Sequence, residues 1–407
     1  MTDEVKTMVN SGKELCERLS VAYDERLEPY FKRGVELFSE YGYFAFDKER
    51  IIKLNEKYNF IRRYMDEILL GCDEVRRDED LVLFVYVLAA IYEAGTTPTF
   101  WDVDHNVVMM GIPDRERLDT DIAPLYSAFF FLEKMIAEYE SRGLPHEVIS
   151  DTLFGMNKEM DDYLTMVGRV GMRRYVSWYS NWTNMVLLTV GRLQFKIWKE
   201  TASIRVYRKG DDYKILMDGV EMHKGGMCFG SAGQDDEDGK YFAEIKEEGG
   251  AVIGYAANEF GECDPNPVRL EGYEEVLRYG DPCIDVHIPA DLPLTPEICI
   301  DSYERAKEIF RKCYPEFKFK GIICHSWMLE KRLEEIQGKK SNVTRFADPF
   351  YGYPLKSSGA AVYSFVFKLP APIPADELPE ETSMQRAVKK HLMNGGHVYE
   401  KGGFMPV

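Results

Sequence analysis

The chain has 407 residues, 45% of them hydrophobic and 13% aromatic, and it carries a net charge of -18. That length exceeds what one hydrophobic core usually serves, so two domains are expected. The acidic balance disfavours nucleic acid and anionic membrane as partners, since both repel a surface of that sign. The first residues, Met1-Thr2-Asp3-Glu4, lack the basic-then-apolar pattern of a secretion signal. No apolar run approaches the roughly 20 residues that span a bilayer, so a cytoplasmic chain is expected. Its eight cysteines include no C-x-x-C pair, and Cys283, Cys299, Cys313 and Cys324 fall on apolar faces, where a thiol behaves as a small hydrophobe.

In chain order, residues 1–182 read as an all-helical domain. Val35, Leu37, Phe38 and Tyr41 share a stripe that Gly42 ends, and a second helix from Asp47 places Ile51, Ile52, Leu54, Tyr58, Ile61 and Tyr64 together. Leu81 to Tyr92 is apolar on all sides and reads as a central buried helix. Phe129 opens another helix, and His146 to Met166 follows the punctuation of Gly143-Leu144-Pro145. Residues 183–407 change character. Met185–Phe195 and Ile204–Arg208 have strand composition, and Tyr213–Met217 before Asp218-Gly219 reads as a hairpin arm. Tyr241–Lys246, Ala251–Ala256 and Ala360–Lys368 add further strands, and Thr382-Ser383-Met384-Gln385 is a capping box opening a last helix. The fold class is therefore α+β.

The most informative stretch runs from Cys283 to Trp327. Cys283–Ile288 reads as a strand. Thr295-Pro296-Glu297 starts a helix, with Thr as N-cap and Pro at the first helical position. Cys299, Tyr303, Ala306, Phe310 and Cys313 then share one helix face, and Phe319–Cys324 reads as a second strand. Strand, crossover helix and strand predict a parallel pair, with a ligand crevice beyond the carboxyl ends. Those ends carry His287-Ile288-Pro289 and His325-Ser326-Trp327.

Together with Gly191-Arg192-Leu193-Gln194-Phe195, Tyr139–Pro145, Asp151-Thr152-Leu153 and Ser341–Phe346, these pieces resemble the bacterial acyltransferase-like family, which joins a helical N-terminal domain to a GNAT-like mixed-sheet C-terminal domain. The resemblance implies an N-acyltransferase that moves an acyl group from acyl-CoA to an amine of a small molecule or peptide. The strand ending at Ile288 would pair with the pantetheine through Val286 and Ile288. The loop with Ala290, Asp291, Leu292, Leu294 and Thr295 would meet the pyrophosphate.

The residues leave a second reading open. Three of the eight residues of Pro289–Pro296 lack an N–H, none is Gly, and Asp291 and Glu297 add negative charge where phosphate would sit. On that basis the chain is a non-catalytic ligand-sensing or interaction protein. For chemistry, His325 could act as general base with Ser326 relaying a proton, or as a strand-end His that caps the next turn. His287 and Asp285 alternate, so they share a sheet face as a base dyad or a satisfied buried pair. Arg192 and Gln194 also alternate and could bind a substrate carboxylate or amide. The glycines of Gly225–Gly233 read as a solvated hairpin loop, and no cluster has the tight spacing of a metal site.

Overall fold

The computed structural model describes residues 9–20, 23, 25–95, 118–168, 170–172, 176–290, 292–369 and 372–407. The chain divides into two compact units, Met1–Val190 and Gly191–Val407.

Among its described residues the first unit is helical apart from one closing strand. Its helices are α1 (Gly12–Leu19), α2 (Glu28–Tyr41), α3 (Lys48–Tyr58), α4 (Met65–Val75), α5 (Glu79–Ala94), α6 (Leu118–Phe129), α7 (Leu132–Ser141), α8 (His146–Val167) and α9 (Val176–Thr183), and its strand is β1 (Leu187–Val190). Asp78 caps α5 by accepting from Leu81 N, two acids fill its first turn, and every residue from Leu81 to Tyr92 is buried. An apolar surface on all sides requires neighbours on all sides. One of them is α2, where a Cβ on Gly34 would lie 2.8 Å from the backbone N of Val87. Two sequence expectations need correction. The helix from Asp47 stops at Tyr58 because Asn59 turns left-handed, leaving Ile61 and Tyr64 outside it. Phe129 ends one helix rather than opening the next, which starts at Leu132.

The second unit is a mixed α+β fold. Its main sheet has the order β2 (Leu193–Lys199), β11 (Pro282–His287), β12 (Ile322–Ser326), β14 (Lys401–Met405), β13 (Tyr351–Pro354). A second sheet is built from β10 (Glu274–Arg278), β3 (Ile204–Lys209), β4 (Asp212–Met217), β8 (Ala251–Ala256) and β7 (Lys246–Glu248), with β9 (Val268–Glu271) on β8. A two-stranded ladder joins β5 (Val220–His223) to β6 (Lys240–Ala243). In the main sheet only β11 and β12 run parallel, and α10 (Pro296–Cys313) is the crossover between them.

Strand alternation gives the main sheet two distinct faces. Phe195 packs edge-on against Tyr303 of α10 with ring centroids 6.2 Å apart, so the Phe195, Val286 and Cys324 face is the one the helix covers. The opposite face carries Cys283, Ile323, Tyr353 and Phe404, which share a core with Ile204, Val206, Ile215 and Met217 of the second sheet. Asp285 and His325 stand on that second face.

Other expectations also change. Ala360–Lys368 is not a strand but holds a short helix, α13 (Ala361–Phe365), whose Val362 packs with Leu333 and Val388. The Asp218-Gly219 turn does not fold β4 into a hairpin with β5. Instead, β4 pairs with β3 and β8. Met227 and Cys228 in the Gly225–Gly233 segment are buried, so that loop is not solvated throughout. Beyond β12 a short 3-10 turn (Trp327–Leu329) precedes α11 (Leu333–Gln337) and α12 (Asn342–Phe346). The last long helix, α14 (Ser383–Met393), carries the capping box between Thr382 and Gln385, as the sequence predicts.

Among the described residues no helix is long and apolar enough to cross a membrane. No group of three or more His, Cys, Asp or Glu there is placed to hold a metal ion.

Candidate active site

The parallel pair that organises the main sheet is short. Its register matches Ile284 with Ile322 and Asp285 with Ile323, and no further pairs follow. Yet β11 runs on to His287 and β12 to Ser326, each still bonded to its outer neighbour: His287 opposite Gln194, and Ser326 opposite Lys401. The two strands therefore part at their carboxyl ends, leaving the facing edge of Val286 and His287 without a strand partner.

Four polar groups line the face beside that opening. His287 Nε2 lies 3.1 Å from Asp285 Oδ2. Lys196 stands opposite Asp285 in the β2–β11 ladder, and its Nζ lies 3.9 Å from the Trp198 ring centroid. His325 is on the same face, one residue before the end of β12. Burial alone would push the Asp285 carboxyl up, but the charge and hydrogen bond of His287, with the charges of His325 and Lys196, hold it below the ordinary range. Burial pushes the Lys196 ammonium down, against the pull of Asp285.

Behind His325 sits a pair that pattern reading did not find. Tyr353 and Glu200 are both fully buried. Tyr353 donates from its hydroxyl to Glu200 Oε2 at 2.9 Å, and His325 Nε2 is 3.0 Å from the same hydroxyl. Glu200 Oε1 accepts from Ala202 N at 2.7 Å and lies 3.7 Å from His325 Nε2. Burial, reinforced by the Glu200 charge and hydrogen bond, pushes the Tyr353 hydroxyl far above its usual range, so it stays protonated.

The remaining sequence-predicted residues are placed as follows. Ser326 does not join His325, because neighbouring strand residues face opposite ways. Its hydroxyl instead accepts from Met328 N at 3.1 Å and caps the turn that follows. Arg192 lies in the turn before β2 rather than on the strand with Gln194, and its Nε donates to Leu292 O at 3.0 Å and Pro293 O at 3.1 Å. It thus ties down the loop predicted to meet phosphate. That turn needs its glycine: Gly191 has φ +62°, and a Cβ there would lie 2.7 Å from Ser302 Oγ, which already accepts from Arg192 N. Gln194 is buried opposite His287. In the loop, Ile288 and Ala290 follow β11, Leu292 is exposed and Leu294 is buried. Thr295 is the N-cap of α10 without a side-chain capping bond. Asp291 lies outside the described residues.

Lys196 was legible in principle, since it alternates with Gln194 and Trp198. Glu200 and Tyr353 were not, because 153 positions separate them.

The model of the GNAT-like C-terminal domain matches residues 187–405. No curated protein matches the chain. Among solved structures, an acyltransferase in complex with decanoyl-CoA superposes with a TM-score of 0.63 at 16% identity, over 98% of this chain and 100% of that one. A mutant acyltransferase in complex with octanoyl-CoA gives 0.62 at 18% identity, over 97% and 99%. An acyltransferase in complex with decanoyl-CoA and teicoplanin gives 0.61 at 18% identity, over 98% and 99%.

Proposed function

The chain belongs to the GNAT-like C-terminal domain family, and from that premise we propose that it transfers an acyl group from an acyl-CoA to an amine of a small molecule or peptide. The observation that carries this reading is the parting of β11 and β12 after Asp285 and Ile323. A freed strand edge offers N–H and C=O groups to the amides of a pantetheine arm, as an added strand would. The same edge sits beside His287, Asp285 and His325, which supply the proton acceptor that amine attack requires. Val286 and Ile288 would bind the arm, and backbone N–H at this edge would polarise the thioester carbonyl. Ala290, Leu292, Leu294 and Thr295, with Asp291, would border the pyrophosphate. Gln194 would lie beside the acceptor, and Arg192 would act by holding the loop.

The similar solved structures, which hold decanoyl-CoA, octanoyl-CoA and teicoplanin, support a medium acyl chain and an acceptor larger than a simple amine. The net charge of -18 argues against nucleic acid as the acceptor.

One observation favours a ligand-sensing protein without catalysis. The loop has three prolines, the Arg192 guanidinium beside it already bonds Leu292 O and Pro293 O, and Glu297 occupies the first turn of α10. Calorimetric titration with CoA, octanoyl-CoA and decanoyl-CoA separates the two readings. The acyltransferase should bind the acyl forms more tightly than CoA and release thiol only when an amine is supplied. A chain that shows no heat with any of the three into the millimolar range would instead be the sensor.

A further inference from the structure

Glu200 is a carboxylate with no exposure to solvent, and acyl transfer as described above gives it no task. Burying an ionised carboxylate is costly unless it is paired. Its partners are Ala202 N and the hydroxyl of an equally buried tyrosine, and that tyrosine faces one histidine.

The protons along this chain can be counted. A tyrosine hydroxyl has one hydrogen, and the charged acceptor takes it, since a hydrogen bond to a carboxylate is stronger than one to a neutral ring nitrogen. The hydroxyl then offers His325 only a lone pair. Nε2, 3.0 Å away, must therefore be the protonated nitrogen. Were Nε2 bare, two lone pairs would face each other at hydrogen-bond distance. Nδ1 is left as the unprotonated nitrogen, with no hydrogen-bond partner among the described residues. His325 itself lies on the part of β12 that has separated from β11, with its side chain 28% exposed.

We propose that Glu200 and Tyr353 are positioning residues that hold His325 in its Nε2–H tautomer, making Nδ1 the base of the acyl transfer. The inference rests on the acyl-transfer reading above. In the step, the amine lone pair attacks the thioester carbonyl carbon, the C–N bond forms, and the C–S bond breaks to release CoA thiolate. The proton shed by nitrogen passes to Nδ1, giving an imidazolium whose Nε2 lies 3.7 Å from Glu200 Oε1. That proton then leaves to the thiolate or to solvent, and His325 returns to its starting tautomer. The logic is that of a carboxylate orienting a histidine, with a tyrosine hydroxyl placed between them.

The test reads the tautomer and the rate on the same protein. In nitrogen-15 spectra of the seven histidine rings, the signals that disappear in His325→Gln should be those of an imidazole protonated on Nε2 and bare on Nδ1. Glu200→Gln keeps the volume but supplies an amide donor, so Tyr353 is free to donate to His325, and the tautomer should become mixed. In that variant kcat should fall about tenfold or more while KM for the acyl-CoA stays near the wild-type value. A purely structural Glu200 would leave the tautomer unchanged. The inference is overturned if wild-type His325 carries its proton on Nδ1, or if Glu200→Gln keeps wild-type kcat. Should Glu200→Gln not fold, the wild-type tautomer decides alone. Failure of the acyl-transfer reading shows differently, as absent acyl-CoA binding by the wild-type protein.

Discussion

Tyr353 can occupy its place between the sheets only because Gly402 stands opposite it in the β13–β14 ladder, where a Cβ would fall within the tyrosine ring. Gly402→Ala should therefore force the ring aside and lower stability by about 1–3 kcal/mol, the usual cost of overpacking a filled core. Urea unfolding checks it, and a variant as stable as the parent would show that the ring moves freely. Asp285 makes a prediction of another kind. Its folded pKa lies below the unfolded value of about 3.9, so its contribution is present above that value and is lost as the pH falls through the folded one. Asp285→Asn should destabilise the protein by about 1–3 kcal/mol at pH 7, since His287 loses its charged partner. The gap should close as the pH drops below about 4. Urea midpoints across that range measure it, and a gap constant to pH 3 would assign the stabilisation to something other than ionisation. At this scale the sequence is readable where partners lie two positions apart. Asp285 and His287 could be placed on one face by alternation alone, whereas Glu200, just past the end of β2, and Tyr353 of β13 meet only through the tertiary fold, across 153 positions.

Among the elements, those with local punctuation were legible. Pro296 at the first position of α10, and the apolar face of Cys299, Tyr303, Ala306, Phe310 and Cys313, define that helix without tertiary information. The capping box at α14 is likewise local, with Thr382 Oγ1 accepting from Gln385 N at 3.1 Å and Gln385 Oε1 accepting from Thr382 N at 3.0 Å. Thr382→Ala removes one of the two and should cost about 1 kcal/mol. Denaturant unfolding followed by circular dichroism would read it, and no loss would mean that packing of Val388 alone sets the helix. Elements without such marks were not legible. The strand β14 reads Lys401-Gly402-Gly403-Phe404-Met405, a composition that argues against a strand, yet all five residues are buried. Lys401 is tolerated there because its Nζ donates to Glu330 Oε1 at 2.9 Å and Phe260 O at 2.7 Å, partners that lie far away in sequence. Ala361–Phe365 shows the reverse error. A short apolar run fits either period, and packing of Val362 against Leu333 and Val388 selects the helix.

At the scale of the whole molecule, burial and net charge become measurable. All eight thiols are free and buried, and burial pushes Cys16, Cys72 and Cys263 up to about 11. A thiol reagent at pH 8 should thus react slowly with the native chain and count eight groups after denaturation; two missing groups would reveal a disulfide. The charge of -18 bears on the ligand. Acyl-CoA is itself a polyanion, so at low ionic strength the two repel over a Debye length of about 30 Å, which shrinks to about 8 Å at 0.15 M. Most phosphate-binding sites attract their ligand and lose association rate as salt is added. Here the predicted phosphate loop, Pro289–Pro296, has no Lys or Arg, and the nearby Arg192 already bonds two of its carbonyls. Salt should therefore raise the association rate, by about two- to tenfold between 0.01 and 0.15 M, with little change in the dissociation rate. Stopped-flow mixing with a fluorescent acyl-CoA measures both. A rate that falls with salt would mean that phosphate meets a basic surface away from this loop, and the pyrophosphate would have to be moved off the start of α10.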